Sequence, residues 1–346
     1  MSNGARSAAL HKIILICAGW LLAATNVVAD KPSHGHVRSS GYYGENLSEH
    51  AAKWIDDRRL LFLSPGASSP RGQASLYVWD LQTDVVSKYA SLGRNAGFCL
   101  ADKFLRYWYE SGVDIQHYAG VLGQESRVSV DSSEYPRRGA RLNRLDCSYF
   151  DSAGLPRTSN RYFRPLRHAD GYLGQSADSS VDETYYLGSD GGTPILLDIP
   201  ARTSALTYSV FKKSYVLQEV NAVRSLSEEI PMRFWIFSPP RDVTAATIPP
   251  GQWLRGSVTD FAPIADGYMF VSQATGRPDS QGRPTTGAGG VYVLHRSDVV
   301  RVIPGYVYGA SVAPSGCSVA VNVASRFGAG QAPVIKVISL CAESGQ

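Results

Sequence analysis

The chain has 346 residues, of which 44% are hydrophobic, and its formal net charge is +4. This length is enough for a sizeable core in one large β domain or in two ordinary domains. The net charge is too small to identify a partner, and Arg6 and Lys12 near the start of the chain account for part of it.

Residues 1–29 have the layout of a secretory signal peptide. The two basic residues just named precede an apolar stretch from Ile13 to Ala24, and a small residue, Ala29, stands before Asp30. We predict cleavage between Ala29 and Asp30. The apolar stretch is shorter than the roughly 20 residues that a membrane span needs, so we expect no transmembrane anchor after cleavage. The mature protein is therefore predicted to be periplasmic or secreted.

The rest of the chain contains short apolar runs in groups of about four. In the first group, WIDDRRLLFLS (54–64) and SLYVWDLQTDVVSKY (75–89), period-2 runs alternate with polar turns. The later groups are GFCLADKFLRYWYES (97–111), the stretch from RLDCSYF (144–150) to ETYYLGSDGGTPILLDI (183–199), SALTYSVFKKSYVLQEV with MRFWIFSPPRDVTAATI (204–248), VTDFAPIADGYMFVSQ with GGVYVLHRSDVVRVI (258–303), and GASVAPSGCSVAVNV (309–323).

The groups start near residues 51, 97, 145, 204, 258 and 308, at a spacing of about 46 to 59 residues, which is typical of propeller blades. The pattern predicts an all-β protein in which residues 51–346 form a single six-bladed β-propeller of four-stranded antiparallel blades. A seven-bladed propeller and a β-sandwich are the alternatives.

The sixth group has only three obvious strands before the chain ends. HVRSSGYYGEN, residues 36–46, can supply the fourth. We therefore expect residues 30–50 to comprise an N-terminal tail and a candidate ring-closing strand.

Two stretches resemble motifs of the TolB-like and WD-repeat-like β-propellers. APSGCSVAV, residues 313–321, is similar to their inner-hairpin motif S-P-D-G-x-x-φ-A-φ, and LYVWD, residues 76–80, is similar to their third strand. Ser315 replaces the usual Asp of the turn, and the other groups lack this turn motif. The resemblance implies the architecture and leaves the partner and the activity open.

Four cysteines follow the predicted cleavage site: Cys99, Cys147, Cys317 and Cys341. In an oxidising compartment an even number without a C-x-x-C spacing favours disulfides. Cys317 opens one predicted strand and Cys341 closes the next, so a hairpin brings them opposite each other. We favour Cys317 with Cys341, which leaves Cys99 with Cys147. Four buried free thiols are the alternative.

The sequence contains no recognisable catalytic or metal-binding signature. It has no G-x-S-x-G motif, no metalloenzyme spacing of histidines, and no G-K-[ST] in the Gly-rich run from Gly276 to Gly290. Aspartates on or beside the inner strands could form the carboxylate pair of a glycosidase, although we expect solvated turn residues. These are Asp56, Asp57, Asp146, Asp151, Asp260 and Asp266. We expect no catalytic residue, no metal and no cofactor.

The segment from Arg127 to Arg167 has nine arginines, no lysine and four acidic residues. Arginine binds carboxylate, sulfate or phosphate through a planar fork and stacks on aromatic rings, so this composition suits an anionic ligand. A solvated loop in a protein from an arginine-rich genome is the alternative. The candidate ligand-binding residues are Arg137, Arg138, Arg141, Arg144, Arg161, Arg164 and Arg167.

The sequence thus predicts an exported, non-catalytic β-propeller that binds a protein partner or an anionic polysaccharide at a propeller face. Nucleic acid is not an expected partner of an exported protein. The alternative is a carbohydrate-active enzyme, a polysaccharide lyase or glycosidase, with its site in the central channel.

Overall fold

The structure is a computed structural model that describes residues 36–44, 51–68, 73–101, 103–129, 161–163, 172–175, 185–188, 192–197, 203–219, 232–238, 242–249, 258–273, 288–325 and 332–341. The predicted signal peptide lies outside these residues. His34–Gln346 forms one compact unit. Within the described ranges, no helix has the length and hydrophobicity of a membrane span.

The described strands form six four-stranded antiparallel sheets, here numbered I to VI in chain order. Sheet I comprises β2 (Lys53–Trp54), β3 (Arg59–Ser64), β4 (Ser75–Asp80) and β5 (Val85–Ser91). Sheet II comprises β6 (Arg94–Ala101), β7 (Phe104–Ser111), β8 (Asp114–Val121) and β9 (Ser126–Arg127). Sheet III comprises β10 (Arg161–Phe163), β11 (Tyr172–Gln175), β12 (Tyr185–Gly188) and β13 (Ile195–Leu197).

The remaining three sheets follow the same order. Sheet IV comprises β14 (Thr203–Ser209), β15 (Ser214–Glu219), β16 (Met232–Ser238) and β17 (Asp242–Ile248). Sheet V comprises β18 (Val258–Ile264), β19 (Gly267–Ser272), β20 (Gly290–His295) and β21 (Asp298–Pro304). Sheet VI comprises β22 (Tyr306–Val312), β23 (Ser318–Ala324), β24 (Val334–Ser339) and, from the start of the chain, β1 (Val37–Tyr43).

Most sheets begin close to the predicted group starts. Sheets I, II, IV, V and VI start at residues 53, 94, 203, 258 and 306, against predicted starts near 51, 97, 204, 258 and 308. The predicted third start, near residue 145, lies outside the described residues. The agreement arises because each group alternates apolar runs with turn residues, which is the pattern that antiparallel strands require.

The N-terminal strand β1 pairs antiparallel with β24, with Val37 opposite Ile338 and Tyr43 opposite Val334. This is the strand that the sequence offered as the fourth member of the sixth group. It also contacts sheet I, because Arg38 Nη1 donates a hydrogen bond to Leu81 O at 2.5 Å.

Five hydrophobic clusters join neighbouring sheets face to face. They pack sheet I on II, III on IV, IV on V, V on VI, and VI on I. The central strands of sheets I, IV, V and VI are therefore covered on both faces, which explains why β3 (RLLFLS) and β23 (SVAVNVA) are almost continuously apolar or small and buried. Four-stranded antiparallel sheets stacked in this way are the architecture of a β-propeller.

A disulfide joins Cys317 to Cys341, with an S–S distance of 2.01 Å and a Cα–Cα distance of 5.0 Å. This is the pair that the sequence favoured. Beside it, the backbone N–H of Leu340 donates to Cys317 O at 2.8 Å. Cys99 is also disulfide-bonded. Its predicted partner, Cys147, lies outside the described residues, so that pairing stays a prediction.

Candidate functional site at the channel mouth

The first strands of four sheets lie side by side. β14 is next to β18, β18 is next to β22, and β22 is next to β2. First strands are the innermost strands of propeller blades and line the central channel. We call the ends where these strands begin the channel mouth, and the turns that follow them the turn rim (residues 55–58, 210–213, 265–266 and 313–317).

The turn rim is interlocked around Gly316. The N–H of Ser315 donates to Asp57 Oδ1 at 2.7 Å, and the N–H of Ala265 donates to Gly316 O at 3.0 Å. Gly316 has a φ of +76°, and a Cβ at this position would lie 2.7 Å from Ala265 N and 2.9 Å from the Phe211 ring. Position 316 requires glycine because its φ is positive and because the neighbouring atoms leave no room for a Cβ. Turns from sheets I, IV, V and VI therefore meet at this end of the channel.

The opposite end is irregular. In β6, β14, β18 and β22 the pairing with the second strand shifts register near the start of the first strand. In β18, Val258 pairs with Ser272 and Asp260 with Val271, which leaves Thr259 as an extra residue. Bulges of this kind redirect side chains and are frequent beside functional sites.

Asp260 lies directly after this bulge. The residue as a whole is half-buried, and its carboxyl group is surrounded by protein atoms. Burial raises the pKa of Asp260 to about 6, although the positive charge of Lys53 and a hydrogen bond from Thr259 act in the opposite direction. The Thr259 hydroxyl donates to Asp260 Oδ2 at 3.4 Å. The carboxylate is thus desolvated without full compensation, as is often found at functional sites.

A small cleft lies between sheets IV and V beside β18. It is lined by four polar residues and by an apolar wall that includes two stacked rings, those of Phe234 and Phe261, whose centroids are 3.8 Å apart. The polar members are Thr207, Gln218, Thr259 and Asp260. Water-sized groups can occupy about 10 Å³ of the cleft, which is close to the space of a single such group.

Two tyrosines on the neighbouring strand β22 complete the channel mouth. The rings of Tyr306 and Tyr308 meet edge to face with centroids 4.9 Å apart, and Tyr308 is the extra residue of the β22 bulge. Burial raises the pKa of both hydroxyls, and Tyr306 adds to the effect on Tyr308. Both side chains therefore stay neutral around neutral pH and can donate hydrogen bonds.

A second cluster lies between sheets I and II, away from the channel mouth. Tyr107 and Tyr118 stack with centroids 4.9 Å apart, and Tyr109 stacks on Tyr118 at 6.1 Å. Tyr89 Oη donates to Glu125 Oε1 at 2.5 Å and accepts from the N–H of Gly123 at 2.8 Å. Burial raises the pKa of Tyr107 to about 12. Sequence reasoning missed this cluster, although the tyrosines of FLRYWYES were visible.

Most of the predicted arginine site lies outside the described residues: Arg137, Arg138, Arg141, Arg144, Arg164 and Arg167. Arg161 belongs to β10, and its side chain is outside the described set. Arg127 is exposed in β9, at the start of the same segment. The structure therefore leaves the arginine site a prediction.

The candidate aspartates do not converge among the described residues. Asp56 and Asp57 lie in the turn after β2, and Asp266 lies in the turn after β18, roughly 15 Å along the strand direction from Asp260. Partial burial of Asp56 acts to raise its pKa. Hydrogen bonds from the Arg59 side chain and from the N–H groups of Arg58 and Arg59 outweigh this effect and lower the pKa. Asp146 and Asp151 lie outside the described residues.

The expectation of solvated turn residues is therefore wrong for Asp260, which is a strand residue with a desolvated carboxyl group. For the part of the chain that is described, no three His, Cys, Asp or Glu side chains lie close enough together to hold a metal ion.

The similarity of this chain to known proteins is one of fold. No family model matches the chain, and no curated protein matches it. Among solved structures, it is similar to the β-propeller domain of the Trilobed protease from Pyrococcus furiosus, with 10% identity, a TM-score of 0.34, and coverage of 85% of this chain and 82% of that one. It is also similar to a putative TolB from Agrobacterium tumefaciens, with 14% identity and a TM-score of 0.35. That similarity covers 74% of this chain and 81% of the other.

A Pyrococcus horikoshii acylaminoacyl peptidase is similar over 82% of this chain but only 43% of its own, with 10% identity and a TM-score of 0.36. The resemblance to TolB and to peptidase propeller domains is one of architecture.

Proposed function

We propose that the protein is an exported, non-catalytic binding module that recognises a protein partner or an anionic glycan. In this proposal residues 1–29 are a signal peptide, residues 30–50 are a tail with the ring-closing strand, and residues 51–346 are a six-bladed propeller. The Cys317–Cys341 disulfide supports an oxidising compartment, the periplasm or the exterior.

Ring closure is supported at the junction of sheets VI and I. There β1 completes sheet VI, a hydrophobic cluster joins the two sheets, and Trp54 Nε1 donates to Ser311 O at 3.0 Å. Contact between sheets II and III would complete a ring of six.

The observation that carries the binding proposal is the contrast between the two ends of the channel. At the turn rim, turns from four sheets interlock around Gly316. At the channel mouth, Lys53, Thr259, Asp260 and two tyrosines collect on neighbouring strands. A concave site with a few polar groups on a rigid scaffold at one end is the usual form of a binding site.

A lyase or glycosidase is the second candidate. It is favoured by the raised pKa of Asp260, because a carboxyl group with a pKa of about 6 can act as a general acid near neutral pH. Such an enzyme also needs a second group opposite Asp260. The other described candidate aspartates, Asp56, Asp57 and Asp266, do not supply one, since they lie at the turn rim.

The test is a binding screen of the mature protein, residues 30–346, against acidic and neutral polysaccharides at low and high salt, with product release followed in the same samples. We expect salt-sensitive binding of acidic polysaccharides without products. Joint reversal of Arg137, Arg138, Arg141 and Arg144 to Glu should weaken it at least tenfold. New reducing ends or unsaturated products would instead establish the enzyme.

The matched control reverses four exposed basic residues elsewhere, Lys88, Lys103, Lys212 and Arg296, to Glu. It makes the same change in net charge and should weaken binding much less. If the two quadruple variants behave alike, or if binding is insensitive to salt, the arginine site is wrong.

A further inference from the structure

Three tyrosines form a row across sheet II, on the face that packs against sheet I. Tyr107 on β7 lies directly opposite Tyr118 on β8, and their rings stack with centroids 4.9 Å apart. Tyr109, two residues further along β7, also stacks on Tyr118, with centroids 6.1 Å apart. Opposite and diagonal neighbours on one face of a sheet contact each other in this way. We call these three residues the tyrosine row.

The tyrosine row runs from the core towards the surface. At its inner end Tyr107 pairs with Phe98 on β6, which is 1% exposed. At its outer end Tyr118 pairs with Arg127 on β9, which is exposed. The three tyrosines between them are half-buried. Residues directly opposite each other in antiparallel strands share a face of the sheet, so Arg127 lies beside the row at its accessible end.

The charge of Arg127 acts on the tyrosine row. A hydrogen bond with Tyr118 and burial raise the pKa of Tyr109, and the positive charge of Arg127 acts against this rise. Among the described residues, Arg127 forms no ion pair. Its guanidinium can therefore bind an external anion through two parallel hydrogen bonds.

The negative charge beside the row is already hydrogen-bonded within the protein. Glu125 Oε1 accepts hydrogen bonds from Tyr89 Oη at 2.5 Å and from the N–H of Gly123 at 2.8 Å. These contacts fasten β5 of sheet I to the loop between β8 and β9. Hydrogen bonds of this kind stabilise the charge of a carboxylate. Since Arg127 has no such partner in the described residues, the charge left for a ligand is positive.

The rings and the charge together indicate one class of ligand. Tyrosine combines an apolar ring with a polar hydroxyl tip. A sugar ring has apolar C–H faces and a rim of hydroxyl groups, which tyrosine hydroxyls can meet as donors or acceptors. An acidic sugar adds the carboxylate or sulfate that a guanidinium binds. An acidic peptide offers the anion but not this ring.

We propose that the tyrosine row and Arg127 bind one acidic sugar residue, with its ring on the tyrosines and its carboxylate or sulfate on Arg127. The proposal rests on the binding function proposed above, for the case of an anionic glycan, and adds a contact surface away from the channel mouth. Arg127 is also the first residue of the arginine-rich segment, so the two predicted contacts with the glycan are adjacent in sequence.

The test measures binding of oligosaccharides to the mature protein by isothermal titration calorimetry. The acidic probes are an oligogalacturonide, which carries carboxylates, and a carrageenan oligosaccharide, which carries sulfates. Their neutral counterparts are the methyl ester and the desulfated form, and an oligoglutamate peptide represents an acidic protein segment. We expect an acidic oligosaccharide to bind at least tenfold more tightly than its neutral counterpart and than the peptide. The acidic probe that binds more tightly identifies the anion.

Two variants test the two parts of the site. Tyr118→Leu keeps an apolar side chain but removes the central ring of the row, and should weaken binding of the acidic oligosaccharide at least tenfold. Arg127→Gln removes the charge, and should weaken binding about tenfold and abolish the preference over the neutral counterpart. Because Arg127 is exposed, this variant tests the site even if Tyr118→Leu does not fold.

The matched controls are an exposed arginine on another outer strand and a half-buried tyrosine in another stack. Arg301→Gln changes β21 of sheet V. Tyr268→Leu removes a ring that stacks on Phe261 with centroids 5.2 Å apart. Both should leave binding unchanged. Circular dichroism would establish that each variant is folded.

The outcomes separate this site from the proposed function. The site is overturned by equal binding of acidic and neutral oligosaccharides, by equal binding of the peptide, by folded variants that bind like the wild type, or by no binding of either acidic oligosaccharide. If acidic polysaccharides still bind in those cases, only the tyrosine row is lost as a site. If they do not bind either, the glycan-binding function fails as well.

Discussion

Replacing Asp260 by Asn should stabilise the protein at neutral pH. The amide has almost the same shape as the carboxyl group but carries no charge. In the folded protein burial raises the pKa of Asp260 to about 6, against an ordinary value of 3.8. The folded state therefore binds more protons than the unfolded state between these values, and the free energy of unfolding falls as the pH rises through this range.

The magnitude follows from the two pKa values. A change of one pKa unit corresponds to about 1.4 kcal/mol, so the ionised carboxylate costs up to ~3 kcal/mol above pH 7 and almost nothing below pH 3.5. Asn avoids this cost. The Asp260→Asn variant should gain little at pH 3.5 and about 1–3 kcal/mol at pH 7.5, where the upper value assumes that the amide loses no contact of its own.

Urea unfolding of the wild type and the variant at several pH values from 3.5 to 8 measures this difference directly. Other carboxyl groups titrate in both proteins and cancel in the difference. Asp266→Asn serves as the exposed control and should give a small difference throughout. A difference that does not change with pH, or a variant that is less stable at pH 7.5, would refute the reasoning.

Two further predictions concern the turn rim. Gly316→Ala should lower the free energy of unfolding by at least about 2 kcal/mol, because alanine is strained at positive φ and its Cβ would press on Ala265 and Phe211; a neutral effect in urea unfolding would contradict the interlocked turns. Replacing Cys317 and Cys341 together by Ala should cost roughly 3 kcal/mol, since the bridge closes a loop with a sequence separation of 24. Unfolding in urea with and without reductant checks this, and reductant should change the wild type more than the variant.

The strands and one disulfide were predictable because their signals are local. Groups of apolar runs separated by turn residues mark most of the sheets, and Cys317 and Cys341 lie at the ends of consecutive strands, so the hairpin alone brings them together. The pairing of Val37–Tyr43 with β24 joins the two ends of the chain, and it was predictable only because the sixth group lacked a strand.

The candidate site was not predictable from local patterns. Asp260 stands in VTDFAPI, whose alternation is ordinary, and the extra residue at Thr259 is visible only once β19 is paired with it. The pKa of Asp260 is raised by burial and lowered in part by Lys53, and both effects come from residues that are distant in sequence. The contact of Gly316 with Phe211 likewise joins two sheets. Sequence patterns describe each strand, whereas desolvation depends on which strands become neighbours.

The two ends of the channel have complementary physical roles. At the turn rim, the disulfide, the contact of Ser315 with Asp57 and the close packing at Gly316 fix the turns of neighbouring sheets. At the channel mouth, the same strands carry bulges and a desolvated carboxylate, features that reduce stability. Such features persist only where the surrounding structure holds the backbone in place. Stabilising contacts at one end therefore allow the other end to keep groups that a ligand, rather than the protein itself, can satisfy.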